Sequence, residues 1–389
     1  MKKLWIITLA LCCLLSCGSS EETPSVPVIY EGDIELTSQQ EVADFMAGGH
    51  TVINGSLRIR GLNPINDLSA LAPITEITGL LAITLTDITS MAGFDNLQRV
   101  GEHIFLGQNE QLTTLKGLDQ LTEIGHGIGI ADNPLLGSLE ALSNVTDLDG
   151  YVQITGPNRL RNLKGLEGVT PNPNTLYLSG AYLESLDGLP QINSVDGALE
   201  IDGCVSLTSL DKLRGIKSIG GWVRLENLPL VDDLSIFDEL TTLGAGLTIR
   251  DIGAAQINSF NQLTMLQGIF IQENSALTSV TGFQNLESAS LLNITGNQAL
   301  ADLSGFSNLE TVTQQISVVA NPHLANLDGF SSLDQRELYR LRVRENVNLT
   351  DLCGITSLMS SLADDVIIEI MDNAFNPSAE DILAGNCRN

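Results

Sequence analysis

The chain has 389 residues, 43% of them apolar but only 4% aromatic, with 36 glycines and 12 prolines. That length holds two or three ordinary domains or one long repeat array, and the core has to be aliphatic. A formal charge of −28 at pH 7 argues against nucleic acid as a partner and against an anionic membrane surface, because phosphate recognition needs a basic footprint.

In chain order, Lys2 and Lys3 precede the apolar run LWIITLALCCLL at Leu4 to Leu15, which has signal-peptide length and is short for a bilayer span. Leu14-Leu15-Ser16-Cys17 resembles the lipobox of bacterial lipoproteins. The resemblance implies a lipidated Cys17 at the mature N-terminus; the alternative is an ordinary cleaved signal beside a chance cysteine. The segmentation is then a signal peptide over 1–16 and a Ser/Glu/Pro tether over 17–30, which lifts the rest off the membrane. Acidic Glu21 and Glu22 resemble the export signal of surface-exposed lipoproteins in some Gram-negative bacteria, a resemblance that implies an outer-membrane lipoprotein and leaves the leaflet open.

An N-terminal cap over 31–56 follows. Gly32 to Leu36 predicts a strand, and Ser38-x-x-Glu41 predicts a capping box opening a helix to about Ala47, stopped by Gly48-Gly49.

From 57 to 358 the chain repeats. An apolar-x-apolar strand recurs with its second apolar residue at Ile59, Ile83, Leu106, Ile130, Ile154, Leu178, Ile201, Leu225, Ile249, Ile271, Ile294, Val318 and Val343, at spacings of 22 to 25 residues. After each strand an apolar residue falls at about every third position, as in Leu112, Leu115, Leu118 and Leu121. Three-residue steps between glycine corners suit short extended segments better than an α-helix. One such unit cannot bury its own leucines, whereas stacked neighbours share a continuous core. Thirteen coils at about 4.8 Å each form a rod of roughly 60 Å. Asn109, Asn133, Asn274, Asn297, Asn321 and Asn346 each lie three residues after the second strand position, and Cys204 takes the same slot in coil seven. An asparagine there can satisfy turn amides of its own and the adjacent coil, and the leucine-rich-repeat consensus accepts Asn or Cys. Cys204 therefore reads as a buried ladder thiol rather than a nucleophile. The looser stretch VTPNPNT at Val169 to Thr175 reads as a local bulge.

The run V-I-N-G-S-L-R-I at Val52 to Ile59, the L-x-G-L steps at Leu115, Leu163 and Leu186, and the asparagine ladder together resemble the receptor L-domain family over roughly residues 31 to 358. The resemblance implies a mainly β, right-handed, leucine-rich-repeat-like parallel β-solenoid. In animal growth-factor receptors this family binds extracellular ligands. Thirteen coils exceed one such domain.

The C-terminal cap, 359–389, predicts a strand at Val366 to Ile370 and a helix begun by Asn376-Pro377 and ended by Gly385. Cys353 and Cys387 are expected to bond in an oxidising envelope, two free thiols being the alternative.

No H-E-x-x-H, G-x-S-x-G or calcium-loop pattern occurs, and no metal site or cofactor is expected. Scattered carboxylates read as solvated turn residues. On the strands, residues between inward positions point outward. These include Tyr151, Tyr177, Trp222, Arg224 and Arg250, a candidate ligand patch across coils five to nine with Trp222 solvent-exposed. Cross-strand pairs Glu200–Arg224 and Glu226–Arg250 are the structural alternative. The resulting expectation is a non-enzymatic, lipid-anchored envelope protein that binds an extracellular protein or glycan and meets the membrane only through its lipid. A polysaccharide-lyase-like β-helix enzyme and a structural spacer are the competing readings.

Overall fold

In the computed structural model the described residues are 26–389 apart from Asp149 and Ala181, so the leader, Cys17 and most of the tether lie outside them. Fifteen parallel strands form one long sheet in strict chain order. They are β1 (Ile34–Leu36), β2 (Leu57–Arg60), β3 (Leu81–Thr84), β4 (His103–Gly107) and β5 (Gly127–Ala131). Then come β6 (Tyr151–Thr155), β7 (Thr175–Ser179), β8 (Leu199–Asp202), β9 (Val223–Leu228) and β10 (Gly246–Ile252). The last five are β11 (Met265–Gln272), β12 (Ser288–Thr295), β13 (Thr311–Val319), β14 (Arg340–Arg344) and β15 (Ile367–Met371). The molecule is a parallel β-solenoid.

The register follows the sequence period. Ile59 lies opposite Ile83, Leu106 opposite Ile130, Leu178 opposite Ile201, and so on to Val318 opposite Val343. Leu36 and Ile370 extend the same rungs at the two ends, so both cap strands belong to the long sheet. Each coil thus buries its apolar pair against the next, and the residues between them face outward.

Two local devices turn the chain out of the strand. The residue two after the second strand position takes a left-handed conformation, as in Gln108 (φ 56), Asp132 (φ 56), Asn227 (φ 54) and Glu273 (φ 57). The cost of that conformation in a non-glycine residue is offset by the ladder one residue later. There Asn297 is fully buried; its Nδ2 donates to the Ile271 carbonyl at 3.0 Å and its Oδ1 accepts from the Asn274 backbone N–H at 3.1 Å. The pattern repeats through Asn321, Asn346 and Asn373, and ends where the Asn373 N–H donates to Asn376 Oδ1. A shorter run joins Thr86, Asn109 and Asn133. Between the two runs the slot holds the exposed Pro157 in coil five, with the buried Asn158 beside it, and in coils seven to nine Cys204, Leu228 and Ile252, all buried. Apolar side chains there enlarge the core but leave it without a polar spine.

The opposite side differs from the expectation of extended segments. In several coils the leucine triplet closes as a single 3-10 turn, as at Ser69–Leu71, Glu140–Leu142, Ser304–Phe306 and Asp328–Phe330. A 3-10 turn has three residues per turn, so the same three-residue period buries its leucines. The L-x-G-L glycines are required there: a Cβ on Gly117 (φ 113) would lie 2.1 Å from the Met91 carbonyl oxygen of the coil before. From coil eight on, the core gains a column of rings. Phe237, Phe260, Phe283, Phe306 and Phe330 are buried, with successive centroids 5.0, 5.3, 5.3 and 6.0 Å apart.

A second edge carries short paired strands from Ile29–Glu31 to Asp147–Leu148, then stops. It resumes at Ser194–Val195. The gap is the VTPNPNT stretch. Pro171 and Pro173 have no N–H to donate, although their carbonyls still accept from Asn193 and Asp196.

Helices stand at both ends, although the inward-phase Ile368 of the last strand stays exposed. Helix α1 (Gln39–Met46) starts at Ser38, whose hydroxyl accepts from the Glu41 N–H. The Glu41 carboxylate reaches one residue further back than a capping box does, to the N–H and hydroxyl of Thr37. At the other end lie α2 (Thr356–Ser361) and α3 (Ala379–Leu383). Helix α3 begins at Ser378, in a full capping box with Asp381, rather than at Asn376-Pro377. Asn376 is occupied instead in ending the ladder. A disulfide joins Cys353 in the last coil to Cys387 after α3.

Candidate functional site

The outward face of the long sheet is the surface on which the solenoid assembles side chains from every coil. Parallel in-register strands make three outward columns, in which each residue sits beside its counterpart one coil away. The surface is continuous and loops do not interrupt it.

The structure divides the expected five-residue patch into three parts. Tyr151 packs beside His103, with ring centroids 5.7 Å apart, and His103 beside His126 at 5.8 Å. Phe105 completes this group by lying against Gly107 and Gly129.

Tyr177 lies in the second part, among charges. Arg224 bridges Glu200 at 3.6 Å and Glu226 at 3.3 Å. Burial pushes the Tyr177 phenol up, and Asp202 and Glu200 push it the same way. Carboxylates that look scattered along the chain are therefore brought together here, because residues 24 apart in sequence are adjacent in a solenoid. Arg250 does not pair with Glu226, its strand neighbour; it reaches forward to Glu273 at 2.7 Å. Glu226 is already turned toward Arg224.

Trp222 forms the third part, and it is half-buried rather than solvent-exposed. Its phase is outward, but its ring lies down along the sheet. Gly246 and Gly268 supply the floor: a Cβ at Gly246 would come within 2.5 Å of the indole, and one at Gly268 within 3.1 Å. The ring ends against Phe270, with centroids 6.0 Å apart. Phe270 was absent from the expected patch. Its signal is the pair of glycines, Gly246 and Gly268, one and two strands downstream of the tryptophan in the same column.

Most arginines of this face are partnered, Arg60 at the N-terminal end being exposed without an ion pair. Arg58 meets Asp33 at 3.2 Å. Arg340, Arg342 and Arg344 surround Glu369, and Arg344 also reaches Asp372 at 3.4 Å. The Arg340 hydrogen bond is the main cause that holds the Glu369 carboxyl below its ordinary range. The face is therefore patterned in sign but not cationic.

Cys204 is buried, with its thiol 3.6 Å from the Asp202 carbonyl, and burial raises its pKa to about 11. A thiol held protonated is a poor nucleophile, as the ladder position implies. Among the described residues, no three His, Cys, Asp or Glu side chains are grouped to hold a metal, and no helix is long and apolar enough to cross a membrane.

Parallel coils, an asparagine ladder and an outward strand face make this a leucine-rich parallel solenoid. The Receptor L domain family matches residues 50–141, which are coils one to four with the end of the cap. Among solved structures the chain is similar to a crystal structure of an internalin from Listeria monocytogenes. That similarity has 13% identity and a TM-score of 0.42, and covers 87% of this chain and 84% of the other. The comparison with curated proteins finds no match.

Proposed function

We propose that this chain is a non-enzymatic ligand-binding or adhesion protein of the bacterial cell envelope. It is anchored to the outer membrane through lipid on Cys17 and presents the outward face of the long sheet to an extracellular ligand. The observation that carries the reading is the distribution of aromatics. In a chain with only 4% of them, Phe105, Tyr151, Tyr177, Trp222 and Phe270 all stand on this one face. Aromatic side chains on an accessible surface are the usual anchors of recognition.

The competing enzyme reading would place its chemistry at Tyr177, Glu200, Asp202 and Arg224. A tyrosine acting as base needs its pKa brought down toward neutrality. Here burial and carboxylates push it up, and Arg224 is already occupied by two of them.

The anchor is tested by expressing the chain in a Gram-negative host. The wild type should incorporate palmitate and be shaved by protease from intact cells, and Cys17→Ala should lose the label. Equal labelling of both removes the anchor from the reading. The binding face is tested with beads carrying the full chain, under flow over mucin-coated and collagen-coated surfaces. Trp222→Ala with Arg224→Ala should abolish retention, while Lys116→Ala, on an exposed corner, should not. Retention unchanged by the double substitution overturns the assignment of the face.

A further inference from the structure

The outward face is not uniform in charge, and the exception points to a ligand class. Strands β11, β12 and β13 are adjacent, and none of their outward rung residues is ionisable. Phe270, Gln272, Asn293, Thr295 and Gln315 are partly exposed and supply one aromatic ring, three amides and a hydroxyl, with Leu291 beside them, while Ser317 and Val319 are buried. Arg224 and Arg250 with their carboxylates border this window on one side, and the cluster of Arg340, Arg342 and Arg344 around Glu369 borders it on the other. A chain of net charge −28 thus keeps three adjacent rungs free of ionisable residues on the outward face of its sheet, with Glu273 and its partner Arg250 at their edge. At the near margin of the window, Trp222 and Phe270 meet over Gly246 and Gly268. Both rings lie low because those glycines leave room for them, and they meet tilted 45° to each other.

Resting on the reading of this face as the binding surface, we infer that its ligand is a neutral glycan, which stacks a pyranose ring on Trp222 and Phe270 and runs along β11 to β13. The apolar C–H face of a sugar ring suits an aromatic face. Its hydroxyls both donate and accept, and so do side-chain amides and hydroxyls. Successive rungs are about 4.8 Å apart, a distance comparable to the length of one pyranose unit, so each coil can meet one sugar. An anionic ligand is disfavoured by the charge of the chain and by the prior pairing of the arginines. A protein ligand would leave the amide array with too many partners to match, whereas a polyhydroxylated chain supplies them.

The test uses the lipidated chain, in which removal of residues 1–16 leaves Trp222 as the sole tryptophan, in a zwitterionic detergent free of sugar. The probes are hexaoses of β-1,4-glucose, β-1,4-mannose and β-1,4-N-acetylglucosamine, with hexagalacturonate as the charged comparison. At least one neutral hexaose should shift Trp222 emission saturably, and hexagalacturonate should not. Phe270→Ala and Asn293→Ala should each weaken that response about tenfold or more. No response to any neutral hexaose, an equal response from Phe270→Ala, or a stronger response to hexagalacturonate overturns the glycan assignment. Loss of sugar response with adhesion still dependent on Trp222 leaves the binding face standing without the glycan. Sugar response with adhesion unaffected does the reverse.

Discussion

At the scale of single residues, the ladder asparagines and Trp222 show opposite ways in which a position decides its side chain. Asn297 is fully buried and makes bonds on both sides, so its replacement leaves the Asn274 N–H and the Ile271 carbonyl unsatisfied. Each such orphan costs about 1–3 kcal/mol. Asn297→Ala should therefore lose about 2 kcal/mol or more by denaturant titration, while Asn348→Ala, whose amide bond lies in solvent, should stay within about 0.5 kcal/mol. Similar midpoints for the two variants would remove the ladder as a source of stability. Trp222→Ala exposes the glycine floor but opens no enclosed cavity. Its cost should fall below the roughly 3–5 kcal/mol of a buried aromatic truncation, and a larger loss would place the indole in the core.

At the scale of elements, the two caps are held by charge and covalency where the coils are held by packing. Glu41 is kept below its ordinary pKa chiefly by the Thr37 N–H, and Asp381 chiefly by the Ser378 hydroxyl. A carboxyl with a lowered folded pKa stabilises the fold above the ordinary carboxylate range and loses that contribution as pH falls through it. Hydrogen exchange at acid pH should therefore show α1 and α3 opening before β4 to β6. Uniform opening along the rod would contradict this. The Cys353–Cys387 bridge closes a loop of sequence separation 34 at the end of the array. A loop of that size stabilises by about 3–4 kcal/mol in the chain-entropy account. Solenoids unfold in local units, so Cys387→Ser should deprotect β14 and β15 while leaving β4 to β6 protected. Loss of protection along the whole rod would show that the cap controls global stability instead.

At the scale of the whole molecule, 47 acidic residues face 19 basic ones along an elongated body. The ion pairs are largely exposed and contribute little individually, so the net self-repulsion outweighs them. Raising NaCl from about 0.01 to 0.5 M shortens the screening length from roughly 30 Å to a few ångströms and should raise the melting temperature. A fall would mean that the paired surface arginines stabilise more than the excess charge destabilises.

What the sequence determined by itself was the repeat. The spacing of paired apolar residues predicted every rung from Ile59 to Val343, because a strand slipped by one residue would turn its apolar pair to solvent. The same register, carried three residues past Ile370, also predicts the ladder place of Asn373. The corners were less legible. A three-residue apolar period fits a 3-10 turn as well as an extended segment, and only the packed coil selects between them. The face was the least legible. Outward phase placed Trp222 on the right side of the sheet, but phase gives a direction and not a resting place. Tertiary structure laid the indole across Gly246 and Gly268 against Phe270, turned Arg250 from Glu226 to Glu273, and gathered Glu200, Asp202 and Glu226 around Arg224 and Tyr177. Burial of an apolar pair is a local, periodic demand that a sequence can state coil by coil. The arrangement of an open surface depends on which neighbours in adjacent coils reach a side chain first, and that competition exists only once the coils are stacked.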